Sequence, residues 1–256
     1  MKDIRFAFNE DVKNYDDLRP RYVNALFSDI LQYSGALPGA SALEVGIGTG
    51  QATEPFLQMG CDVTAVELGG DLAAYVEQKF ERYHNLHVIR CAFEEYACPN
   101  ETYDLLYSAT AFHWIPSKIG YPKARALLKK GGSIALFWNR PYAARREDPL
   151  HVRVQSLYAK YMPGAAPPPE NDPNRYEGNL ALLREYGFCD VQMKLYRNTR
   201  VFSADRYIAL LNTYSNHRSL APSQKQAFER ELRKAIFSFG DEMEIYDTMD
   251  LYLARK

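Results

Sequence analysis

The stretch Ala42-Leu-Glu-Val-Gly46-Ile-Gly48-Thr-Gly50-Gln51 sets a short apolar run against three alternating glycines, and a second apolar run ends on Glu67. This order reads as a strand, a glycine turn and a helix start, by which a doubly wound sheet brings its backbone close to a nucleotide-like ligand. Glycines at 46, 48 and 50 let the chain turn sharply and leave no Cβ between backbone amides and ligand. Glu67, at the carboxyl end of the neighbouring strand, lies where a carboxylate accepts both hydroxyls of a ribose.

The spacing discriminates between ligands. A dinucleotide fingerprint is G-x-G-x-x-G, with the last glycine packing helix on strand, whereas this chain has G-x-G-x-G and then Gln51. Glu44, just before the turn, repels a pyrophosphate and favours a ligand carrying positive charge, such as an amino group or a sulfonium. That points away from NAD.

Outward from this stretch, near-continuous apolar strands alternate with amphipathic helices, as in a parallel α/β unit. Strands are expected over 42–45, 63–67, 86–91, 103–109 and 133–138, with helices over 51–59, 71–82 and 118–129, the last ended by Gly131-Gly132. A helix is expected ahead of the sheet, where Val23, Leu26, Phe27, Ile30 and Leu31 recur at helical spacing. The aromatic and charged segment 6–19 before it reads as an arm over a site or as a frayed terminus. Beyond residue 139 the pattern changes to helix candidates over 150–161, 176–186, 204–214 and 223–237, with strands over 191–196 and 244–254 and the Pro-rich loop 163–169. We read one domain over 1–256, with a core over 36–139 and a helical cap built from 1–35, 140–174 and 198–240.

The bulk numbers narrow the function classes. A net charge of −1 gives no basic footprint for nucleic acid. The four cysteines form no CxxC pair, and no apolar run approaches the roughly 18 residues of a membrane helix, so a reducing, cytoplasmic setting is expected. His84 and His87 are spaced i, i+3 with no nearby third ligand, and no metal is expected there. The 19 tyrosines, many outside the expected sheet, suit a ligand pocket or an interface. Monomer and homodimer both remain open.

Together, Glu44 to Gly50, Glu67, Ala92-Phe93-Glu94, the run Tyr103-Asp104 to His113-Trp114 and Leu127 to Gly132 resemble the class I S-adenosylmethionine-dependent methyltransferases, closest to the small-molecule branch that includes trans-aconitate methyltransferase. The resemblance covers roughly residues 10–140. It implies a Rossmann-like doubly wound sheet of seven strands, ordered 3-2-1-4-5-7-6, mostly parallel with the last strand antiparallel. It implies that Gly46, Gly48 and Gly50 lie against the methionine part of S-adenosylmethionine, that Glu44 helps hold its amino group, and that Glu67 and Leu68 border the ribose. Phe93 and Glu94 would flank the adenine, while Ser108, Ala109 and Thr110 would border the sulfonium. Tyr15 and the Arg19-Pro20 turn would close over the cofactor. Ala92 stands where many relatives have Asp, which leaves Glu94 as the acid for the adenine.

Methyl transfer from a sulfonium is an in-line displacement, so the protein mostly aligns groups and excludes water. A base is needed only for an acceptor that is protonated at rest, as a hydroxyl is and a carboxylate is not. His113 is the candidate base by position, with an orienting loop histidine as its alternative. Trp114, Trp138, Asn139 and Arg140, after the fourth and fifth strands, and Tyr214, His217 and Arg218 in the cap are the candidate substrate contacts. Arg218 and Arg19 together would suit a carboxylate. The expected activity is methyl transfer to an oxygen of a small molecule. RNA or protein substrates, or a cofactor-binding relative without turnover, are the alternatives.

Overall fold

A computed structural model describes residues 16–164 and 167–256, which leaves Tyr15 and the middle of the Pro-rich loop outside the described residues. The apolar runs form β1 (Ser41–Val45), β2 (Asp62–Glu67), β3 (Leu86–Arg90), β4 (Tyr103–Ala109), β5 (Leu128–Tyr142), β6 (Cys189–Phe202) and β7 (Met243–Arg255). They make one sheet ordered β3-β2-β1-β4-β5-β7-β6. The first five strands pair in parallel and β7 runs antiparallel to both its neighbours, as expected for this fold class.

Helices cover both faces. They are α1 (Asn24–Ser34), α2 (Glu54–Gln58), α3 (Gly70–Lys79), α4 (Ser117–Leu127), α5 (Pro149–Tyr161), α6 (Pro173–Glu185), α7 (Ala204–Leu211), α8 (Ser215–Arg218) and α9 (Pro222–Ser238). Because strand side chains alternate, Leu43, Val45, Leu106 and Leu136 meet α4 and α6 on one face, and Ala42, Ala65, Leu105 and Phe137 meet α1 on the other. Leu26 and Ile30 of α1 are fully buried there, and each such side chain contributes about 2 kcal/mol. A third cluster joins Leu18, α5, α7 and α9 to Phe202, Met243 and Ile245 at the ends of β6 and β7 and makes the cap.

Three expectations change. The helix expected over 51–59 begins only at Glu54, after a turn through residues 51–53. Gly131-Gly132 does not end a helix: Leu128 already pairs with Tyr103, the register shifts before Leu105, and Gly131 absorbs the bulge at φ +74°. Residues 140–142 and 198–202, expected in the cap, continue the sheet, because β7 offers both its edges along Met243–Asp250. These extensions carry β5 past the other parallel strands and under the cap.

Candidate active site

A cavity of about 310 Å3 opens at the carboxyl ends of β1 and β4, where the strand order reverses. The glycine turn forms its floor. A Cβ on Gly46 would lie 2.5 Å from the Ala111 Cβ, and one on Gly50 would lie 2.3 Å from the Phe80 ring, so these two positions need glycine for packing. Gly48 differs, since a Cβ there meets nothing within 4 Å. Gly46 and Gly48 line the cavity, whereas Gly50 lies behind it against Phe80.

The two acids of the turn do different work. Glu67 lines the cavity and accepts from the backbone N–H of Gly48 at 2.9 Å and of Gly69 at 2.8 Å. It ties the turn to the end of β2, and a carboxylate's roughly four lone-pair sites still leave room for a ligand hydroxyl. Burial pushes its pKa up, against those backbone bonds. Glu44, expected at the amino group, lies beneath the turn and does not line the cavity. Its Oε2 accepts from Thr53 Oγ1 at 2.8 Å and from Tyr107 OH at 2.9 Å, which fastens α2 and β4 to β1. Burial raises its pKa to about 8. Leu68, Phe93, Glu94 and Ala109 all line the cavity, with Lys123 Nζ 5.4 Å over the Phe93 ring. Ser108 does not line it, because its hydroxyl is spent donating to the Val45 carbonyl at 2.7 Å.

The opposite wall comes from the chain start and from the loop after β4. Asp16 holds Lys79 at 2.8 Å and Tyr75 OH at 3.0 Å, and Lys79 also donates to the Thr49 carbonyl of the glycine turn. That anchors a segment in which Arg19, Pro20 and Tyr22 line the cavity. Arg19 donates to the Thr213 carbonyl at 2.8 Å and stacks 4.2 Å over the Tyr214 ring, joining cap to core. Thr110 sits at φ +54°, a left-handed conformation that costs a β-branched residue about 1–3 kcal/mol. Its hydroxyl meets Tyr22 OH at 2.6 Å and accepts from the Asn139 N–H at 3.3 Å, which holds it there.

Asn139 is 6% exposed. Its Nδ2 donates to the Arg21 carbonyl at 2.9 Å, while Oδ1 has no hydrogen-bond partner among the described residues. It lines the first cavity and also a second one of about 430 Å3, together with Pro141 and Tyr214. The second cavity lies under the cap between Tyr158, Tyr207, His217 and Arg175. His217 meets Tyr158 OH through Nε2 at 3.0 Å, and burial, then Lys225, lowers its pKa to about 4.

Some expected contacts are not brought together. His113, the expected base, lines neither cavity, and its Nδ1 accepts from the Trp138 indole N–H at 3.0 Å. Its remaining nitrogen therefore carries the proton of the neutral ring, and burial, then Arg140, lowers its pKa. Trp138 is core, 4% exposed, because its strand position faces Tyr252. Trp114 does line the first cavity. Arg218 lines neither cavity, so it is not paired with Arg19 across a ligand. Arg175 went unanticipated: in sequence it is only the third residue of a helix capped by Asp172.

Comparison with known proteins agrees with this site. A family model described as a methyltransferase domain matches residues 42–132. An uncharacterized methyltransferase of Schizosaccharomyces pombe is 22% identical over 234 residues, covering 90% of this chain and 87% of that protein. A solved type II methyltransferase candidate from Anaeromyxobacter dehalogenans shares the fold with TM-score 0.67 at 19% identity, covering 93% of this chain and 97% of that one. Phosphoethanolamine N-methyltransferase 2 of Haemonchus contortus, solved with S-adenosylhomocysteine, superposes with TM-score 0.56 at 13% identity, over 97% of this chain and 57% of that longer one. Sheet order, glycine turn, acid-bearing β2 end and matched domain make this chain a class I S-adenosylmethionine-dependent methyltransferase.

Proposed function

We propose that the protein transfers a methyl group to an oxygen of a small molecule held where the two cavities meet. The residues of the first cavity fit the cofactor: Gly48 leaves the floor open, Glu67 keeps lone pairs for the ribose, and Phe93 with Glu94 offers a ring and an acid to the adenine. Bound S-adenosylmethionine supplies the electrophilic methyl carbon and a thioether leaving group.

Asn139 carries the reading of the acceptor. Asn139 lines both cavities and its buried Oδ1 has no partner among the described residues, so a hydroxyl that donates to it would be held and oriented there. Orientation and exclusion of water by the cap and by the Arg19-Tyr214 stack account for the protein's share of the rate. Neither nearby imidazole serves as a base, since His113 has committed Nδ1 to Trp138, and His217, its Nε2 engaged by Tyr158 OH, is made a weak base by burial, which lowers its pKa to about 4. The oxygen acceptors that suit this site are therefore acidic hydroxyls, such as phenols or enols, and groups already ionised. The same Asn139 oxygen accepts from an amine, which needs no base once uncharged, and this is the second reading.

The test is a panel of phenols, carboxylic acids and amines incubated with S-adenosylmethionine, followed by mass spectrometry for methylated product and S-adenosylhomocysteine. Methylated phenols or acids are expected. Turnover on RNA or protein without turnover on the panel overturns the reading.

A further inference from the structure

The second cavity holds a cation that the transfer reaction as derived so far does not use. Asn139 and Arg140 are neighbours on β5, so their side chains leave the strand on opposite faces. Asn139 reaches the α1 side, where it bonds to the Arg21 carbonyl, and Arg140 reaches the α6 side, where Nε bonds to Asp250 at 3.2 Å. Both line the second cavity, which therefore wraps the end of the strand. Arg175, on the first turn of α6, lines it on the Arg140 side.

On this side Arg140 and Arg175 stand in ion pairs with the carboxylates of Asp250 and Asp172. Asp250 is fully buried and takes Arg140 Nε together with Tyr252 OH at 2.9 Å. Asp172 caps α6 through the Arg175 N–H and takes Arg175 Nη1 at 3.2 Å. Arg175 Nε stands 3.7 Å from Asp250, beyond hydrogen-bond reach, and Nε and Nη2 have no hydrogen-bond partner among the described residues. Two buried N–H edges of a guanidinium present the fork that matches a carboxylate or a phosphate. Between this fork and Asn139 stand the rings of Tyr158, Tyr207 and Tyr214 and the side chains of Leu210 and Leu211, which suit a flat apolar body.

We propose that the second cavity selects two-ended acceptors: a planar, aryl-like body whose hydroxyl or amine head lies at Asn139 and whose anionic group, not itself methylated, is held by Arg175. As the head oxygen or nitrogen bonds to the methyl carbon, the carbon–sulfur bond breaks, S-adenosylhomocysteine leaves and the head's proton passes to solvent, so the product keeps the anionic group. This rests on the methyltransferase reading of the first cavity. It adds the charge that the acceptor must carry and the residue that reads it.

The test uses the full chain saturated with S-adenosylhomocysteine, titrated by calorimetry with 4-hydroxyphenylacetate, with 3-(4-hydroxyphenyl)propionate and with the neutral amide of each. The acids are expected to bind at least about tenfold more tightly than the amides. Arg175→Gln should remove that preference while leaving the affinity for S-adenosylhomocysteine unchanged, and Arg175→Lys should restore part of it. The unchanged S-adenosylhomocysteine affinity shows that the variants fold. Equal binding of acids and amides, binding of neither acid, or a preference that survives in Arg175→Gln overturns the proposal. Failure of the wild-type protein to bind S-adenosylhomocysteine strikes the methyltransferase reading instead.

Discussion

The two halves of the cleft differ in which polar atoms they leave without a partner. In the half built by β1, β2 and β4, Glu67 is bonded to the turn, Ser108 to Val45, and Glu44 to Thr53 and Tyr107 through one oxygen, while Glu44 Oε1, Thr49 Oγ1 and Gln51 Nε2 are buried with no hydrogen-bond partner among the described residues. In the half under the cap, Asn139 Oδ1 and Arg175 Nε and Nη2 are buried with no hydrogen-bond partner among the described residues. A buried polar group without a partner costs about 1–3 kcal/mol, and a ligand that supplies the partner recovers that cost. Both halves therefore hold some polar atoms without a hydrogen-bond partner among the described residues: a carboxylate oxygen, a hydroxyl and an amide nitrogen on the cofactor side, an amide oxygen and a guanidinium edge on the cap side.

The largest effect expected comes from separating the glycines by role. Gly48→Val fills open floor and should abolish S-adenosylhomocysteine binding in calorimetry, at a backbone cost of about 1–3 kcal/mol because Gly48 sits at φ +57°. Gly50→Val bears the same strain at φ +77° and also drives a side chain into Phe80, so it should lower stability by about 1–3 kcal/mol more in denaturant titration. If both variants fold normally and bind normally, the glycine turn is not the cofactor floor. Next in size, Glu67→Gln places an amide N–H against the Gly48 or Gly69 N–H and should weaken S-adenosylhomocysteine binding by about tenfold to a hundredfold.

On the other side of the comparison, Asn139→Ala should lower kcat/KM for the acceptor by about tenfold to a hundredfold with cofactor affinity nearly unchanged. A parallel loss of cofactor affinity would merge the two halves into one site. Glu44 predicts a pH effect on the cofactor side. Burial raises its carboxyl from 4.5 to about 8, so the folded protein keeps a proton that the unfolded chain has released between those values. Stability of the ligand-free protein should therefore fall as pH rises through that window, and Glu44→Gln should flatten the fall in denaturant titrations. The smallest effect belongs to His113. With Nδ1 already taken by Trp138, His113→Gln should change kcat by less than about tenfold, and a loss of several orders of magnitude would restore it as a base.

What could be read from the chain follows how local each feature is. The glycine turn, Glu67 and the Phe93-Glu94 loop sit at strand ends, and their positions follow from the strands themselves. Glu44 and Ser108 lie just behind the cavity wall, a placement the sequence does not show: a strand residue one position from the ligand looks the same in sequence as one that faces it. The lengths of β5, β6 and β7 were underestimated, since their extensions exist only through pairing with residues far away in the chain.

The sequence alone determined the strands, the glycine turn and its two acids, because those rest on apolar periodicity, backbone conformation and charge within short stretches. The family resemblance those stretches carry implied the sheet order and the cofactor. Only the tertiary structure decided that Asn139 joins two cavities, that His113 answers to Trp138, and that Arg175 lines the second cavity with Nε and Nη2 lacking hydrogen-bond partners among the described residues. Each of these is a matter of which buried polar atoms found partners, and partners brought from distant segments leave no local pattern in the chain.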